Sequence, residues 1–451
     1  MSNHTGLKLA FLSLVLAGFS HAAEPLPLST SYWNDPTFLK SFNGTYRIEA
    51  RIEPTLTTEE RGLLVEIQEL MGDEKRTLSL EKLKSSALTA KSAALTFNLG
   101  NLYFETGDTG KAIEAYKNAL KAYPSFRRAH HNLALALVRE NQLEEALTHL
   151  TEAIRLGDSE GNTYGLLGYC RIAREEWASA LQAYRLAQIT EPDVAEWKAG
   201  IAQCLQNLDE KAEAVALLDE VIRQRPTEAS YSVLQANILM DLDQPEAAVK
   251  ALELPYRLKI LDPNATLLLA ELHLRGDRTE AAEQAVTAAF SDEKMQPAIP
   301  SILRLITAAS TRSEWNMVKG LLKKAETDAP VRALRLAEAG YLIASGENPA
   351  SGADLLKKLT EEEPTDGEAL IALARYQSTN GQPDSAELLY ERATADTTHA
   401  YEAHVELVRL HVAQSRYADA LKSVDRALEL NPTDSLRNYR QSLLKTIAAS
   451  E

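Results

Sequence analysis

The chain has 451 residues, of which 45% are hydrophobic, and its formal net charge at pH 7 is −16. This charge disfavours a nucleic-acid partner, because phosphate binding requires a basic surface, although an acidic total leaves room for a local basic groove. The length exceeds what one hydrophobic core supports, and it favours a body in which stacked units bury one another.

The first 22 residues have the layout of a secretory signal. Lys8 precedes an apolar run over residues 9–19, and small residues stand at the minus-three and minus-one positions of a cleavage site after Ala22. The run is shorter than the roughly 20 apolar residues of a spanning helix, and no other segment is apolar enough to cross a membrane. We therefore expect a periplasmic protein without a transmembrane segment in its mature chain.

An extended arm and a helical hairpin are expected next. Residues 23–56 contain four prolines, little helical periodicity and an aromatic cluster that includes Trp33. They predict an arm that either packs along the rest of the protein or docks a partner. Thr57 and Glu60 form a capping box that begins a helix, and a second helix is expected over roughly residues 78–88.

Small residues then return every 34 positions. Such residues let two helices approach closely while large apolar neighbours fill the grooves beside them. One series consists of Ala112, Ala146, Ala180, Ala214, Ala248 and Ala282. A second series, twelve positions earlier each time, consists of Gly100, Ala134, Gly168, Ala202, Ala236 and Ala270.

This pattern resembles that of tetratricopeptide repeat (TPR) proteins, in which each repeat is a pair of antiparallel helices. The first repeat carries most of the pattern, at Leu99, Gly100, Tyr103, Gly107, Ala112, Tyr116, Ala119 and Pro124. The resemblance implies an all-α, right-handed α-solenoid of about ten TPR helix-turn-helix repeats. The hairpin before the repeats and an amphipathic helix after them are expected to cap its two ends.

The 34-residue series shifts by two positions after Ala282 and resumes at Val318, Gly352, Ala386 and Ala420. The shift is consistent with a hinge between two lobes or with a longer loop in a continuous stack, since surface insertions cost little. Pro255 lies inside a second helix, which should be short or kinked there. The expected domains are the signal peptide, the arm with its capping hairpin, repeats 1–6, an irregular joint, repeats 7–10 and a capping helix: 1–22, 23–92, 93–290, 291–300, 301–434 and 435–451.

Cysteine and histidine give little sign of chemistry. Cys170 and Cys204 fall on the first helices of adjacent repeats. Neighbouring helices lie about 8–10 Å apart, whereas a disulfide needs Cα atoms within about 7 Å, so we expect two buried thiols. His404 and His411 are expected to pack in the core, because a zinc site needs three or four converging ligands.

The sequence also lacks a Gly-rich phosphate loop, a nucleophile elbow and a Cys-x-x-Cys pair. It therefore predicts a protein that is not an enzyme, with no catalytic residue, no metal and no cofactor.

The first helices of the repeats are expected to line a groove that binds a protein or peptide. Amide side chains could pair with an extended peptide backbone, and aromatic side chains could serve as apolar anchors. Ordinary solvated groove residues are the alternative. The candidates in the first three repeats are Phe97, Asn101, Phe104, Arg128, His131, Asn132 and Tyr169.

Two of these candidates match a known arrangement. Asn101 and Asn132 occupy asparagine positions of the clamp with which some TPR domains bind a terminal carboxylate. The basic positions of that clamp are occupied here by Phe97, Asn162 and Leu166. The resemblance to the clamp is therefore incomplete.

Arg375 and Arg409 are 34 positions apart and should lie near each other in the groove of repeats nine and ten. They could receive an acidic segment of a partner. Alternatively, they pair with the neighbouring carboxylates Glu368, Glu402 and Glu406, because such pairs form readily.

Three functions are compatible with this organisation. The order of signal, arm, hairpin and repeats, with Tyr32-Trp33-Asn34-Asp35-Pro36 in the arm, resembles exported bacterial TPR proteins that accompany TonB–ExbB–ExbD systems. This resemblance implies a periplasmic scaffold with a protein partner in the cell envelope. The alternatives are an assembly factor for outer-membrane export of polysaccharide or protein, and a regulatory subunit of an envelope enzyme.

Overall fold

The computed structural model of the chain describes residues 26, 28, 32–33, 53–69, 76–292, 294–325 and 331–450. The predicted signal lies outside these residues. The described part divides into two compact units, an N-terminal unit up to Ile260 and a C-terminal unit from Leu261. Every regular element within the described ranges is helical, and none of these helices combines the length and apolarity needed to span a bilayer.

The N-terminal unit consists of a helical hairpin followed by five helix pairs. Its elements are α1 (Thr58–Glu69), α2 (Arg76–Ser85), a 3₁₀ turn (Thr89–Lys91), α3 (Ala93–Glu105), α4 (Thr109–Ala122), α5 (Arg127–Arg139), α6 (Leu143–Arg155), α7 (Gly161–Ile172), α8 (Trp177–Thr190), α9 (Ala195–Asn207), α10 (Lys211–Gln224), α11 (Ala229–Asp241) and α12 (Pro245–Arg257).

The C-terminal unit continues with five further pairs and a final helix. Its elements are α13 (Pro263–Arg275), α14 (Thr279–Ala289), α15 (Ile299–Thr311), α16 (Trp315–Lys324), α17 (Arg332–Ser345), α18 (Pro349–Glu362), α19 (Gly367–Thr379), α20 (Pro383–Ala393), α21 (Ala400–Ala413), α22 (Tyr417–Leu430) and α23 (Asp434–Ser450).

Both series of small residues lie where the two helices of a pair cross. The alanines of both series are completely buried. At Gly100 a Cβ atom would stand 2.6 Å from the Tyr116 ring, which belongs to the second helix of the same pair. The 34-residue period therefore marks positions of close helix contact, as predicted.

The turn inside each pair repeats with the same period. Its left-handed residues in the N-terminal unit are Gly107, Asn141, Glu175, Asp209 and Asp243. In the C-terminal unit Asp277 is followed by Ser313, two positions later than a period of 34 requires. The predicted shift of register is thus confirmed in the backbone conformation.

The segment around this shift lies within the C-terminal unit. Val286 on α14 and Ile302 on α15 belong to one hydrophobic cluster that extends to Tyr341 on α17. The irregular residues thus connect helices that share a core, which is the arrangement of a longer loop.

Other local predictions have mixed outcomes. The capping box is confirmed, because the backbone N–H of Thr57 donates to Glu60 Oε2 at 2.7 Å and the N–H of Glu60 donates to Thr57 Oγ1 at 3.2 Å. The expected shortening at Pro255 is wrong, since α12 continues to Arg257. Proline lacks only one backbone donor, and in the last turn this leaves most of the helix intact.

The two cysteines are free and buried, as predicted. Burial raises the pKa of Cys170 and of Cys204 to about 12, so both thiols stay protonated at neutral pH.

Candidate functional site

The first helices of successive pairs in the N-terminal unit contact one another, and they form a continuous surface. We call this surface of α3, α5, α7, α9 and α11 the N-face. The described arm residues Leu26, Leu28, Tyr32 and Trp33 pack against the core that these helices build. Of the two paths considered for the arm, the described residues thus follow the one along the protein itself.

Tyr32 is a buried anchor of the described arm. Its hydroxyl donates to Asn162 Oδ1 on α7 at 2.9 Å, and its ring meets the Trp197 ring on α9 edge-on, with 5.6 Å between centroids. Gly165 on α7 makes room for Trp197, because a Cβ atom there would lie 2.4 Å from the indole ring. A glycine on one helix and a tryptophan on the next thus build the aromatic wall for Tyr32.

The electrostatic surroundings keep the Tyr32 phenol neutral. Burial raises its pKa well above the usual value, and the charges of Glu191 and Glu196 raise it further. Glu191 is fixed nearby, because its Oε2 accepts a hydrogen bond from the indole N–H of Trp197 at 3.1 Å. The pocket accordingly favours a neutral hydroxyl donor over an anion.

The arm is also held on both sides of Tyr32 in sequence. The backbone N–H of Leu26 donates to Gln203 Oε1 on α9 at 3.0 Å. The buried carboxylate of Glu53 accepts two hydrogen bonds from Arg128 on α5, at 2.6 Å from Nε and 2.5 Å from Nη2. Among the described residues of the arm, Leu26 thus contacts α9 and Glu53 contacts α5, opposite to the order of the repeats.

Arg128 and Phe97, both predicted groove residues, belong to this contact. The Arg128 guanidinium lies 5.5 Å from the centroid of the Phe97 ring. Phe97 itself is buried against Tyr116 and Phe126, at 5.7 Å and 4.8 Å between centroids. The expectation that Phe97 stands exposed in a groove is wrong, because neighbouring aromatic rings cover it.

The two asparagines of the clamp-like pattern are buried and bonded to each other. Asn101 Oδ1 accepts hydrogen bonds from Asn132 Nδ2 and from the Tyr116 hydroxyl, each at 2.8 Å. The amide oxygen of Asn101 is thus engaged within the protein. Both side chains contribute to the packing of α3 on α5.

His131 forms a buried cluster with the loop before α7. Its Nδ1 lies 3.0 Å from Asp158 Oδ2 and 2.7 Å from Thr163 Oγ1, and the Thr163 hydroxyl donates to Asp158 Oδ2 at 3.0 Å. Burial alone would lower the pKa of His131, but the hydrogen bond and charge of Asp158 outweigh it and raise that pKa. Burial opposes ionisation of Asp158 as well, yet His131 and other donors lower its pKa to about 2.

Within the described residues, this cluster is where ligand atoms for a metal ion could converge. One atom each from His131, Asp158 and Glu160 lie within 4.8 Å of one another. Asp158 already accepts hydrogen bonds from the Thr163 hydroxyl and from the backbone N–H of Glu160. A bonded polar cluster that joins α5 to α7 accounts for this arrangement.

The remaining candidates of the first three repeats differ in exposure. Phe104 is buried, contrary to the expected groove exposure, and the guanidinium of Arg139 lies 5.1 Å from its ring centroid. Tyr169 on α7 and Trp33 in the arm are half-buried against the core of the N-terminal unit. Tyr169 is thus the aromatic candidate of these repeats that keeps part of its surface open.

The first helices of the C-terminal unit, α13, α15, α17, α19 and α21, also contact one another and form a surface that we call the C-face. Arg375 on α19 is buried there, and its Nη2 donates to Glu402 Oε1 at 2.7 Å and Glu406 Oε1 at 2.6 Å on α21. Arg409 donates to Glu406 Oε1 at 2.7 Å. Pairing with neighbouring carboxylates, one of the two readings of these arginines, is therefore observed.

Similar pairs join other first helices of the C-face. Arg332 on α17 donates to Asp366, the capping residue of α19, at 2.5 and 2.6 Å. It also donates to Glu368 at 2.9 Å, so Glu368 pairs with a third arginine besides the two predicted from the sequence. Arg304 on α15 lies 2.7 Å from Glu271 on α13.

Comparison with known proteins agrees with this architecture. Models of the tetratricopeptide repeat match residues 97–161 and 371–435, and a further one matches residues 200–227. The chain carries tetratricopeptide repeats. Its helix pairs, their period and their small residues at the crossing points are those of an all-α TPR solenoid, a fold that typically serves as a non-catalytic scaffold for protein–protein interaction.

Individual relatives are distant. A segment of 123 residues, 27% of this chain and 9% of the other, is 26% identical to Superkiller protein 3 of Schizosaccharomyces pombe. A tetratricopeptide repeat protein from Parabacteroides merdae is 16% identical, with a TM-score of 0.41 over 56% of this chain and 98% of that one. PilF of Pseudomonas aeruginosa is 17% identical, with a TM-score of 0.37 over 43% and 88% of the two chains.

Four residues of the arm contact were missed by sequence reasoning. Trp197 is a completely buried residue at the centre of the N-face. Gly165 and Glu53 have no counterpart of the same kind 34 positions away, whereas Gln203 has the amide Asn237 there. Asn162 was noted only as an unexpected amide at a basic position of the clamp. The amide at this position, together with Gly165 three positions later on the same helix, is the sequence signal that could have indicated a site on α7.

Proposed function

We propose that the protein is a non-catalytic scaffold of the bacterial periplasm that binds extended segments of envelope proteins on its first-helix faces. The repeats supply the coarse part of this proposal, since TPR proteins mediate protein–protein interaction. The periplasmic part rests on the signal-like residues 1–22.

One observation carries the proposal, which is that the N-face already holds a segment from outside the repeats. The expectation of an extended arm is wrong at its anchor, because Tyr32 and Trp33 are helical. It binds the arm through a backbone N–H at Leu26, an aromatic side chain at Tyr32 and a carboxylate at Glu53. Backbone pairing combined with side-chain pockets is the general means by which proteins recognise extended peptides. The helices of this unit therefore have the chemistry for such recognition.

We further propose that the partner belongs to a TonB–ExbB–ExbD system. Support comes from the resemblance of the arm, Tyr32-Trp33-Asn34-Asp35-Pro36, and of the first repeat to exported proteins that accompany such systems. Of the two described residues of this stretch, Tyr32 is buried in the N-face and Trp33 is half-buried.

Site-specific photo-crosslinking in cells tests this function. A photoreactive amino acid is placed at Tyr169 on the N-face and, in a separate strain, at Arg409 on the C-face, whose side chain is 65% exposed. Ile189 on the second helix α8, 77% exposed, is the matched control outside both faces. We expect mass spectrometry to identify an envelope protein that is trapped from a first-helix face and not from the control.

The identity of the trapped protein decides the finer proposal. A TonB-system component supports it, whereas recovery of export-machinery proteins would replace it with the outer-membrane assembly role. Failure of both faces to trap anything beyond the control would contradict the scaffold function. The intact mass of the protein from a periplasmic fraction tests the location, with cleavage after Ala22 as the expected result.

A further inference from the structure

The arm occupies a site that belongs to the repeats. The groups that receive it are the Trp197 ring, the Asn162 amide, the Gln203 amide and the Arg128 guanidinium, all on α5, α7 and α9. The arm supplies three groups to this site, namely a main-chain donor at Leu26, the phenol of Tyr32 and the carboxylate of Glu53. Another segment with the same features would satisfy the same groups.

Among these receiving groups, Trp197 and the two amides are buried with the arm in place. Asn162 and Gln203 are buried polar side chains, and buried amides that lose a hydrogen bond cost free energy. The wall formed by Gly165 and Trp197 is likewise shaped for an aromatic ring. Departure of the arm therefore exposes the Trp197 indole and opens both amides to water, and a similar segment would cover the indole and restore the same hydrogen bonds.

The chemistry of the site restricts its occupant. Glu191 and Glu196 place negative charge near the phenol of Tyr32, so the site disfavours a phosphotyrosine or a carboxylate at that position. Arg128 lies farther along the face, and its guanidinium donates hydrogen bonds to the carboxylate of Glu53. The suitable segment thus has a neutral tyrosine, an apolar residue about six positions before it and an acidic residue after it.

We propose that the N-face is a receptor for a partner segment of this chemistry and that the arm is its intramolecular competitor. This proposal deepens the proposed function and rests on it. A tethered segment competes at an effective concentration in the millimolar range. The apparent affinity for an outside segment is then reduced by the fraction of molecules in which the arm has left the site.

A synthetic peptide tests the proposal. The probe is residues 24–36 of the chain, EPLPLSTSYWNDP, with a fluorescent label, and its binding to the full mature protein is measured by anisotropy. Wild-type protein should bind it at least tenfold more weakly than Tyr32→Ala, in which the arm has lost its main anchor. The matched control peptide has alanine in place of its tyrosine and should not bind the variant.

Asn162→Ala in the Tyr32→Ala protein removes the acceptor of the phenol and should weaken binding of the probe about tenfold. Circular dichroism melting establishes that each variant is folded. Should Tyr32→Ala fail to fold, Tyr32→Phe keeps the ring and loses only the hydroxyl, and it should still bind the probe more tightly than wild type does. A folded variant that does not bind the probe, or equal binding by wild type and variant, overturns the proposal.

Sedimentation of the wild-type protein tests the alternative occupant, the arm of a second copy. We expect monomers for both wild type and Tyr32→Ala. A wild-type dimer that Tyr32→Ala abolishes would mean that copies exchange arms, and it would overturn the role of an outside partner. Trapping of an envelope protein from Arg409 alone, with no binding of the probe, would leave the scaffold function standing and remove only this inference.

Discussion

The N-face and the C-face are built from the same kind of helix, but different side chains join their repeats. On the N-face, amide and imidazole groups link successive first helices, as in the pairs Asn101–Asn132 and His131–Thr163. On the C-face, arginines and carboxylates do so, as in Arg375–Glu406. The N-face also carries a bound segment of the chain.

This difference suggests that one repeat architecture can serve two tasks. Amide groups, an aromatic wall and the Arg128 guanidinium suit the N-face for a segment of the kind that it holds, because such polar groups are desolvated at low cost once they are bonded. Ion pairs on the C-face satisfy one another across repeats, and a ligand would have to break them. The C-face therefore links the first helices of successive repeats through its own charges, in addition to their shared apolar clusters.

The largest expected effect comes from Trp197→Ala, which removes the centre of the N-face. Trp197 is completely buried, and loss of such a side chain destabilises by about 3–5 kcal/mol. Hydrogen exchange measured by mass spectrometry should show faster exchange in α7 and α9 with little change in α19 and α21. The matched substitution is Trp177→Ala, on a half-buried tryptophan of α8, for which a smaller loss is expected. Equal effects on both units would contradict the separation of the two faces.

A somewhat smaller effect is expected from Arg375→Ala on the C-face. The change leaves Glu402 and Glu406 without their shared partner, and removal of one member of a buried ion pair costs about 3 kcal/mol. Chemical denaturation measures the loss. Arg409→Ala is the control, because its exposed side chain should contribute little that a melting curve can detect.

Replacement of Arg375 and Glu406 together by methionine sharpens this test. If the pair serves only to satisfy two buried charges, the double variant should regain most of the stability that Arg375→Ala loses. A double variant as unstable as the single one would mean that the ion pair itself stabilises the C-face.

Much of the fold could be predicted because it depends on a local period. The alanine series, the capping box at Thr57 and the two-position shift before Ser313 all follow from spacing along the chain. The pairing of Arg375 with Glu402 was also foreseen as one alternative, since a residue and its neighbours on the next repeat lie about 30 positions apart.

The occupation of the N-face could not be predicted, because a repeat pattern shows which side of a helix a residue lies on and not what covers it. Tyr32 meets Asn162 across 130 positions and Leu26 meets Gln203 across 177 positions. No period relates these residues. For the same reason Phe97 and Phe104 were expected to be exposed, whereas rings and arginine side chains of the neighbouring helices pack over them.

A moderate effect is expected from Tyr32→Phe, which deletes the hydrogen bond between the phenol and Asn162. The ring remains beside Trp197, so the loss should be about 1 kcal/mol, the usual net contribution of one hydrogen bond. Differential scanning calorimetry measures it. A loss as large as that of Trp197→Ala would show that the arm is an integral part of the core, which would contradict its role as an exchangeable segment.

The smallest expected effect is a pH dependence from the His131–Asp158 pair of the N-face. His131 has a raised pKa in the folded protein, so its protonated form stabilises the fold below its ordinary pKa, and this contribution disappears as the pH rises through the folded value. The stability difference between wild type and His131→Gln should therefore shrink from pH 6 toward pH 9, as urea denaturation at each pH would measure. Asp158 has a pKa lowered to about 2 and stays ionised across this range, so it adds no slope of its own there.

The same series for Arg375→Ala should be flat from pH 6 to pH 9, because arginine keeps its charge throughout. A slope in the Arg375 series equal to that in the His131 series would show that the pH dependence is a property of the whole chain and not of the N-face.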